Sequence, residues 1–485
     1  MSKRRPELFR LTREGYHIVK QIVVRISPNA SINKVAEDKD LNRRTFTKFY
    51  EGEGVTRELA REICFVLDVP DWEANWEDIC ELVPPPIESW SAYDDRSWVG
   101  RKTLIESLSE KLRKSCRLVL MLGITGIGKT ALAERIADEI QGRFRKVLRS
   151  NFDDDERLSD FASVAQRWLE ELGEYLKSED NQPEKLLDRL IEHLQDNRVL
   201  ILIDSLEAIL TGNEEDGWGD FKDDWWQKFF KKVLCLESFA SGIIVTSQDL
   251  PTKLESEASR YLHYHREVLK GLDLDEQLAL FEKAGFDVSQ ETQERELLMR
   301  MGKVFQGHPL MLGTSIGEIQ ESFSHNVIAF WGKVSPEIEA VEQDIVEAES
   351  DAQIEGADDD WKLHKLTRNI RLKVYKNRLA SVFRRLEIQS PDAYLLLCVG
   401  AKYRRPVQEE GWLIQLEVFV KRLRNEVYSK EQQERVLEEL EGRFLVEGSV
   451  NHNNKRVLGL HNLIRSVALE HRKRLFQTTE GKGDG

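Results

Sequence analysis

The chain has 485 residues, a formal net charge of −15, 40% residues of the AVILMFWYC set and 32% charged residues. At roughly 150 residues per domain this length corresponds to about three domains, with enough apolar residue for packed cores, so global disorder is excluded. The acidic total also excludes a protein that coats nucleic acid with its whole surface. The five cysteines, Cys64, Cys80, Cys116, Cys235 and Cys398, are odd in number and contain no C-x-x-C pair. They read as thiols in a reducing compartment, not as a disulfide framework or zinc knuckle. The apolar stretch from Tyr16 to Ile26 is interrupted by Lys20, Gln21 and Arg25, so it is no signal peptide, and no run approaches the ~18 apolar residues of a membrane helix. The expectation is a cytoplasmic multidomain chain with no membrane partner.

The charge is unevenly distributed. Residues 1–50 hold twelve Lys/Arg against five Asp/Glu, and residues 51–100 hold three against thirteen. Helices are predicted over 12–26, 31–38, 42–50 and 56–67, and the short pair around Asp40-Leu41-Asn42 has the helix-turn-helix pattern. Pro84-Pro85-Pro86 ends this unit as a stiff spacer. Apolar runs at 117–122, 146–150, 199–203, 243–246 and 261–268 then alternate with helical patterns at 129–141, 158–176, 183–195 and 221–237. That alternation predicts a parallel sheet covered on both faces. Residues 275–333 read as helical. Residues 336–360 contain eleven acids and no Lys or Arg, and read as a solvated connector. From 363 to about 475 helices return, with a hairpin of 444–450 and 456–460, which together suggest a winged-helix domain. No repeat of 20–50 residues is found.

The most specific signal is Gly123-Ile-Thr-Gly126-Ile127-Gly128-Lys129-Thr130, which fits G-x-x-x-x-G-K-[ST] between a strand and a helix and runs on into Ala131. Glycines let backbone N–H groups converge on phosphate oxygens, and the helix N-terminus adds partial positive charge. Lys129 is the residue for the β- and γ-phosphates and the Thr130 hydroxyl for Mg²⁺. The apolar strand ending in Asp204 supplies a second metal-holding acid. Glu207, three residues on, is the nearest group to orient a water for hydrolysis, and reads equally well as a solvated glutamate at a helix start. Lys129, Asp204 and Glu207 are therefore the candidate catalytic set, with turnover left open. The strand 242–246, ending in Thr246-Ser247-Gln248, is placed to sense the nucleotide state.

These motifs occur in order with Trp98-Val99-Gly100-Arg101 before them and Gly307-His308-Pro309-Leu310 and Leu460-His461-Asn462-Leu463 after. The order resembles the signal-transducing STAND NTPases of the NB-ARC type, which include plant resistance proteins, the apoptosome scaffold and many bacterial relatives. The resemblance spans about residues 97–475 and implies ADP and ATP with Mg²⁺ as ligands. It implies that Val99, Gly100 and Arg101 lie against the adenine, that Pro309 packs on the nucleotide and that His461 contacts the ADP β-phosphate at rest. Alone, Pro309 reads as the first residue of a helix, and His461 as a core or surface histidine. Two positions depart from the family pattern. Gln248 stands where arginine is frequent, which weakens sensing of the γ-phosphate, and His461-Asn462 replaces the usual His-Asp.

The resulting division is a helix-turn-helix-like domain (1–83), a proline-rich linker (84–96), a P-loop α/β nucleotide-binding domain (97–268), a helical domain (269–332), an acidic linker (333–362), a winged-helix domain (363–478) and a tail. The expected function is an ADP/ATP-gated signalling switch that opens to self-associate or to engage a protein effector. The alternative is a transcription regulator binding DNA through residues 31–50, where Asn42, Arg43, Arg44, Thr45, Thr47 and Lys48 form the polar face of the third helix. The acidic stretch 51–100 favours a protein-docking adaptor, and the two readings stand about even. An ADP-binding scaffold without turnover is the blandest reading. Relatives commonly continue into sensor repeats and this chain does not, so either its trigger is expected from a separate protein or the chain is a natural short form.

Overall fold

The computed structural model describes residues 8–27, 32–39, 41, 43–50, 55–70, 72, 75–83, 98–153, 159–174, 182–213, 217–251, 254, 263–289, 292–354, 359–450 and 456–480. The spacer at 84–96, Asn42 and the hairpin tip at 451–455 lie outside them. The chain divides into two compact units, residues 1–89 and 90–485.

In the first unit β1 (Leu8–Leu11) leads through the Thr12 cap into α1 (Arg13–Ile26). Helices α2 (Ile32–Asp38) and α3 (Arg43–Tyr50) follow, then β2 (Val55–Thr56), α4 (Arg57–Val66), the short α5 (Trp76–Ile79) and β3 (Cys80–Val83). The four expected helices are present within a residue or two. The three-stranded antiparallel sheet, order β2-β1-β3, was not anticipated, because strands of two to four residues leave no usable periodicity. Phe46 and Phe49 are fully buried, on the inward face of α3, with Val19, Val23, Val35 and Ile63.

The second unit opens with α6 (Lys102–Lys114), β4 (Leu118–Leu122), α7 (Lys129–Ile140), β5 (Lys146–Asn151), α8 (Phe161–Glu171), α9 (Pro183–Asp196) and β6 (Val199–Asp204). It continues with a small hairpin of β7 (Leu210–Asn213) and β8 (Gly217–Phe221), then α10 (Asp224–Cys235), β9 (Gly242–Ser247) and β10 (Tyr264–Val268). Five strands form a parallel sheet of order β10-β4-β9-β6-β5, as the apolar runs predict. Alternation along β4 sends Leu118, Leu120 and Leu122 to one face and Val119 and Met121 to the other. The first face is closed by Trp168, Phe161 and Phe229 grouped around Trp226. Leu108, Leu132 and Ile136 of α6 and α7 close the second. The register sets Leu122 beside Ser247 and Val268, so the carboxyl ends of the strands align along one edge. In open parallel sheets that edge is where ligands bind.

Helices α11 (Leu274–Lys283), α12 (Gln293–Val304) and α13 (Pro309–Phe323) follow. The stretch read as an acidic connector is instead most of α14 (Val327–Ile354), which runs through Pro336, and only 355–358 lie outside the described residues. Composition hid the pattern. Val334, Ile338, Val341, Ile345, Ala348 and Ala352 recur every three or four residues and are buried, while the acids occupy the remaining faces. The acids also find partners on the basic helix α15 (Asp360–Gln389): Arg371 pairs with Glu349 at 2.8 Å, and Arg378 and Arg385 bind Glu337 at 3.3 and 2.6 Å. Arg378 and Arg385 also share the fully buried Glu318 of α13. Burial opposes ionisation of Glu318, but the two guanidinium groups outweigh it and hold its carboxyl below the usual range.

The chain ends in α16 (Pro391–Gly400), β11 (Val407–Gln408), α17 (Glu409–Arg424), α18 (Lys430–Gly442), β12 (Glu447–Val450), β13 (Arg456–Gly459) and α19 (Asn462–Glu480). The three strands pair antiparallel in the order β11-β13-β12. Among the described residues no helix is long and apolar enough to cross a membrane.

Candidate functional site

The loop between β4 and α7 carries the phosphate-binding motif at the aligned strand ends. Gly126 and Gly128 have φ of 82° and 92°, a region a Cβ disfavours. A Cβ on Gly126 would stand 2.7 Å from the His308 ring, and one on Gly128 3.2 Å from the Arg101 guanidinium. Lys129 opens α7 and is buried, its ammonium donating to the carbonyls of Gly123 (2.8 Å) and Ile124 (3.2 Å). Burial pulls the Lys129 pKa down, and Glu207, Asp204 and Asp153 push it back up.

The acids sit on the neighbouring strands. Asp204 ends β6, and its Oδ1 accepts from the Thr130 hydroxyl at 2.8 Å and from the Thr246 hydroxyl of β9. Thr246 Oγ1 in turn accepts from the Ser205 amide at 3.1 Å. Asp153, two residues past β5, completes the group. Burial raises its pKa and Asp204 adds to the rise, against hydrogen bonds from Ser205 and Asn462. Three carboxylates around one ammonium leave surplus negative charge, which suits a cation. Among the described residues no three His, Cys, Asp or Glu side chains form a metal-binding group. Mg²⁺ takes one or two protein ligands and fills the rest of its octahedron with water and phosphate oxygens. Thr130 and Asp204 have the donor chemistry for it.

Glu207 is buried in a short 3₁₀ turn after β6. Burial raises its pKa, against the nearby Lys129. Both its oxygens accept from Gln248, from the backbone amide at 3.1 Å and the side-chain amide at 3.0 Å. A carboxylate so engaged is not placed to orient water in this arrangement. Gln248 is thus tied to Glu207.

Arg101 lies on the loop before α6 in a left-handed conformation, φ 59°. Its guanidinium donates to the loop carbonyls of Ile127 at 2.6 Å and Gly128 at 3.4 Å and to Lys270 O at 3.2 Å, and its backbone amide donates to Glu276 of α11. Burial lowers its pKa to about 10. Arg101 therefore braces the loop through its carbonyls. Val99 and Gly100 are half-buried beside it.

Segments from later in the chain close on the same loop. Pro309 occupies the first turn of α13 with His308 as its cap. His308 Nε2 donates to Thr125 O at 3.0 Å while Nδ1 accepts from the Met311 amide at 3.4 Å, which fixes one neutral tautomer. Burial drives its pKa to about 3. The Leu310 amide reaches Gly126 O at 3.4 Å. His364 of α15 donates to Gln248 O at 3.1 Å and is lowered by burial to about 4. Arg368 makes a buried 2.6 Å ion pair with Asp249. His461 accepts the Leu463 amide on Nδ1 at 3.2 Å, and burial and then Lys129 bring it to about 4. Asn462 donates to Asp153 Oδ2 at 2.7 Å. A cavity of about 340 Å³ beside the loop is lined by Ile124, Ile127, Phe305, His308, His364 and Arg371, among others. This is in the size range of ligand pockets.

The structure thus gathers Arg101, the loop 123–131, Asp204, Glu207, Gln248, His308-Pro309 and His461 at one edge of one sheet. Of the six residues predicted to contact nucleic acid, Arg43, Arg44, Thr45, Thr47 and Lys48 lie on α3 in the other unit, where Thr45 and Thr47 are half-buried. Sequence reasoning missed Asp153, His364 and Arg368. Asp153 lies in an acidic loop without a motif, and the two α15 residues are placed only by long-range packing. His308 was visible within its motif but had no role assigned.

These features define a P-loop nucleotide-binding domain: a parallel sheet with the loop after β4 and an acid at the tip of β6, with β9 between the two strands. Residues 101–208 match the NB-ARC domain model, and this segment is an NB-ARC-type P-loop NTPase domain. Among curated proteins, the chain is 24% identical over 319 residues to an uncharacterized WD repeat-containing protein of Nostoc sp., covering 60% of this chain and 24% of that one. It is 25% identical over 203 residues to Protein SAP1 of Saccharomyces cerevisiae, covering 38% and 22%. The matches thus span about a quarter of the length of these relatives. Among solved structures, it is similar to a Signal Transduction ATPase with Numerous Domains protein with a tetratricopeptide repeat sensor from Pyrococcus horikoshii. That match has a TM-score of 0.46 and 17% identity and covers 82% of this chain and 48% of that one. The Aeropyrum pernix ORC2 protein in ADPNP-ADP complexes matches with a TM-score of 0.33 and 13% identity over 81% and 99%.

Proposed function

We propose that the chain is an adenine-nucleotide-gated signalling switch. ADP with Mg²⁺ holds the later segments closed on the loop, and exchange for ATP releases them for self-association or for a protein effector. The observation that carries this reading is the convergence of His308, His364 and the His461-Asn462 pair on one phosphate-binding edge. Whatever occupies the loop then has different contacts in the closed and open arrangements, and a ligand shifts an equilibrium only through such a difference.

In this reading the loop amides and Lys129 bind the phosphates, and Thr130 and Asp204 hold Mg²⁺. His461 meets the β-phosphate as a neutral donor, because its Nδ1 is already an acceptor. Val99, Gly100 and Pro309 border the base, while Arg101 keeps the loop shaped from behind. Bound Mg²⁺ supplies charge neutralisation for the phosphates. The engagement of Glu207 by Gln248 supports slow or absent hydrolysis, so the nucleotide acts as a latch. The test is native mass measurement of the purified protein with ADP and with ATP and Mg²⁺. ATP-dependent oligomers that form without ATP in His461→Ala support the switch, and an ADP-bound monomer unchanged by ATP or by His461→Ala overturns it.

A second reading rests on α2 and α3. The two helices are four residues apart in the chain, Phe46 and Phe49 face the core, and the first fifty residues carry seven more basic than acidic residues. In this reading α3 is a recognition helix for duplex DNA. Salt-dependent retardation of duplex DNA by the full chain, lost in Arg43→Ala/Arg44→Ala, supports it, and no retardation at low salt refutes it.

A further inference from the structure

A second cavity, of about 410 Å³, lies among α14, α15 and α19, and none of the phosphate-loop residues line it. Its walls combine Val341 and Val374 with Arg378, Arg384, His471 and Arg474. Two of these are nine-tenths or more buried, and each has one polar atom without a hydrogen-bond partner among the described residues: His471 Nε2 and Arg378 Nε. The His471 ring is held between Phe383 and Tyr394, with centroids at 5.0 and 5.6 Å. The Tyr394 hydroxyl lies 3.0 Å from Nδ1. With that hydroxyl donating to Nδ1, the ring proton is on Nε2, and the unpartnered atom is a donor. Buried donors are nearly always satisfied, so two left unpaired on one cavity wall call for an acceptor from outside the chain. The charges agree. Glu318 and Glu337 balance Arg378 and Arg385 in their own network. The lining as a whole carries three guanidinium groups, of Arg378, Arg384 and Arg474, against two carboxylates, of Glu337 and Asp344.

We propose that this cavity binds a small organic anion, one oxyanion group on a short apolar body, with His471 Nε2 and Arg384 donating to the oxyanion and Val341 and Val374 packing the body. The helix that supplies His471, α19, begins at Asn462, whose side chain holds Asp153. Occupancy of the cavity therefore bears on the same helix that touches the nucleotide domain. The binding claim itself does not depend on the switch reading.

Titration calorimetry of the full chain saturated with ADP tests it, with glutarate, glycerol 3-phosphate and inorganic phosphate as probes. Binding of glutarate or glycerol 3-phosphate at sub-millimolar concentration is expected, and the stronger of the two identifies the oxyanion as carboxylate or phosphate. Arg384→Gln is expected to weaken it by at least about tenfold, the scale of one hydrogen bond to a charged group. Ala340→Trp, at an exposed lining position that does not challenge the fold, is expected to abolish it. Heat from none of the probes, or binding insensitive to both cavity variants, would overturn the proposal.

Discussion

Replacing Asn462 by aspartate restores the residue usual in the family and, on the geometry here, should open the site. Asn462 Nδ2 donates to Asp153 Oδ2 at 2.7 Å, and the same oxygen accepts from Ser205 Oγ at 2.6 Å. Asn462→Asp removes a hydrogen bond to a charged group, about 1.5–3 kcal/mol when sheltered. It also sets two carboxylates at about 4 Å, a repulsion of about 1 kcal/mol in bulk water and about 4 kcal/mol near a protein surface. Asn462 is exposed, so the lower end of both ranges applies, and the closed arrangement should lose about 2 kcal/mol. That corresponds to about 30-fold faster opening-limited hydrogen exchange at the start of α19. The repulsion requires both carboxylates to be ionised. It is present at pH 8 and fades as pH falls toward 5, where the pair can share a proton, the more so because burial already raises Asp153. Exchange measured by mass spectrometry at both pH values is the assay. Equal protection in the two proteins at pH 8, or a difference of the same size at pH 5, would refute the reasoning.

Other consequences follow from the buried groups. Glu318→Gln leaves Arg378 and Arg385 with only the half-buried Glu337 as counter-ion, and the second unit should lose about 3–5 kcal/mol in chemical denaturation, whereas a loss below about 1 kcal/mol contradicts the buried network. His308 and His364 are held neutral at about 3 and about 4, below their unfolded value near 6.5. The stability they carry is present above about pH 6.5 and lost as pH falls, each losing about 2 kcal/mol by pH 5. A denaturation midpoint that is flat from pH 7 to 5 would contradict their burial. Gly126→Ala drives a Cβ toward His308 and Leu310 and should weaken nucleotide binding at least about tenfold, about 1.4 kcal/mol. Gly142→Ala, where the Cβ meets nothing within 4 Å, should not.

The parts of the molecule legible in the sequence are those specified by local pattern. The buried strands β4, β6 and β9 are continuous apolar runs, and the phosphate loop sits between a strand and a helix because its chemistry requires that junction. Asp204 followed from the loop, since a metal-holding acid is expected at the tip of another buried strand of the same sheet. The long helix α14 was misread because the eleven acids of 336–360 outweighed a three-four apolar repeat, and because the basic residues that neutralise its acids are on α15, 22 to 48 residues further along. The hairpin β7–β8 and the short strands of the first unit are too brief for periodicity to register. His364, Arg368 and Asp153 reach the site through tertiary packing, which no local window contains.

The central claim is that the loop at Gly123–Thr130 holds an adenine nucleotide through Lys129 and closes the later segments upon it. The most direct measurement is extraction and identification of the nucleotide carried by the purified full chain, alongside Lys129→Ala. The account predicts close to one adenine nucleotide per wild-type chain, predominantly ADP, and none from Lys129→Ala. A wild-type chain that carries no nucleotide and takes up neither ADP nor ATP with Mg²⁺, or a variant that carries as much as wild type, would contradict it.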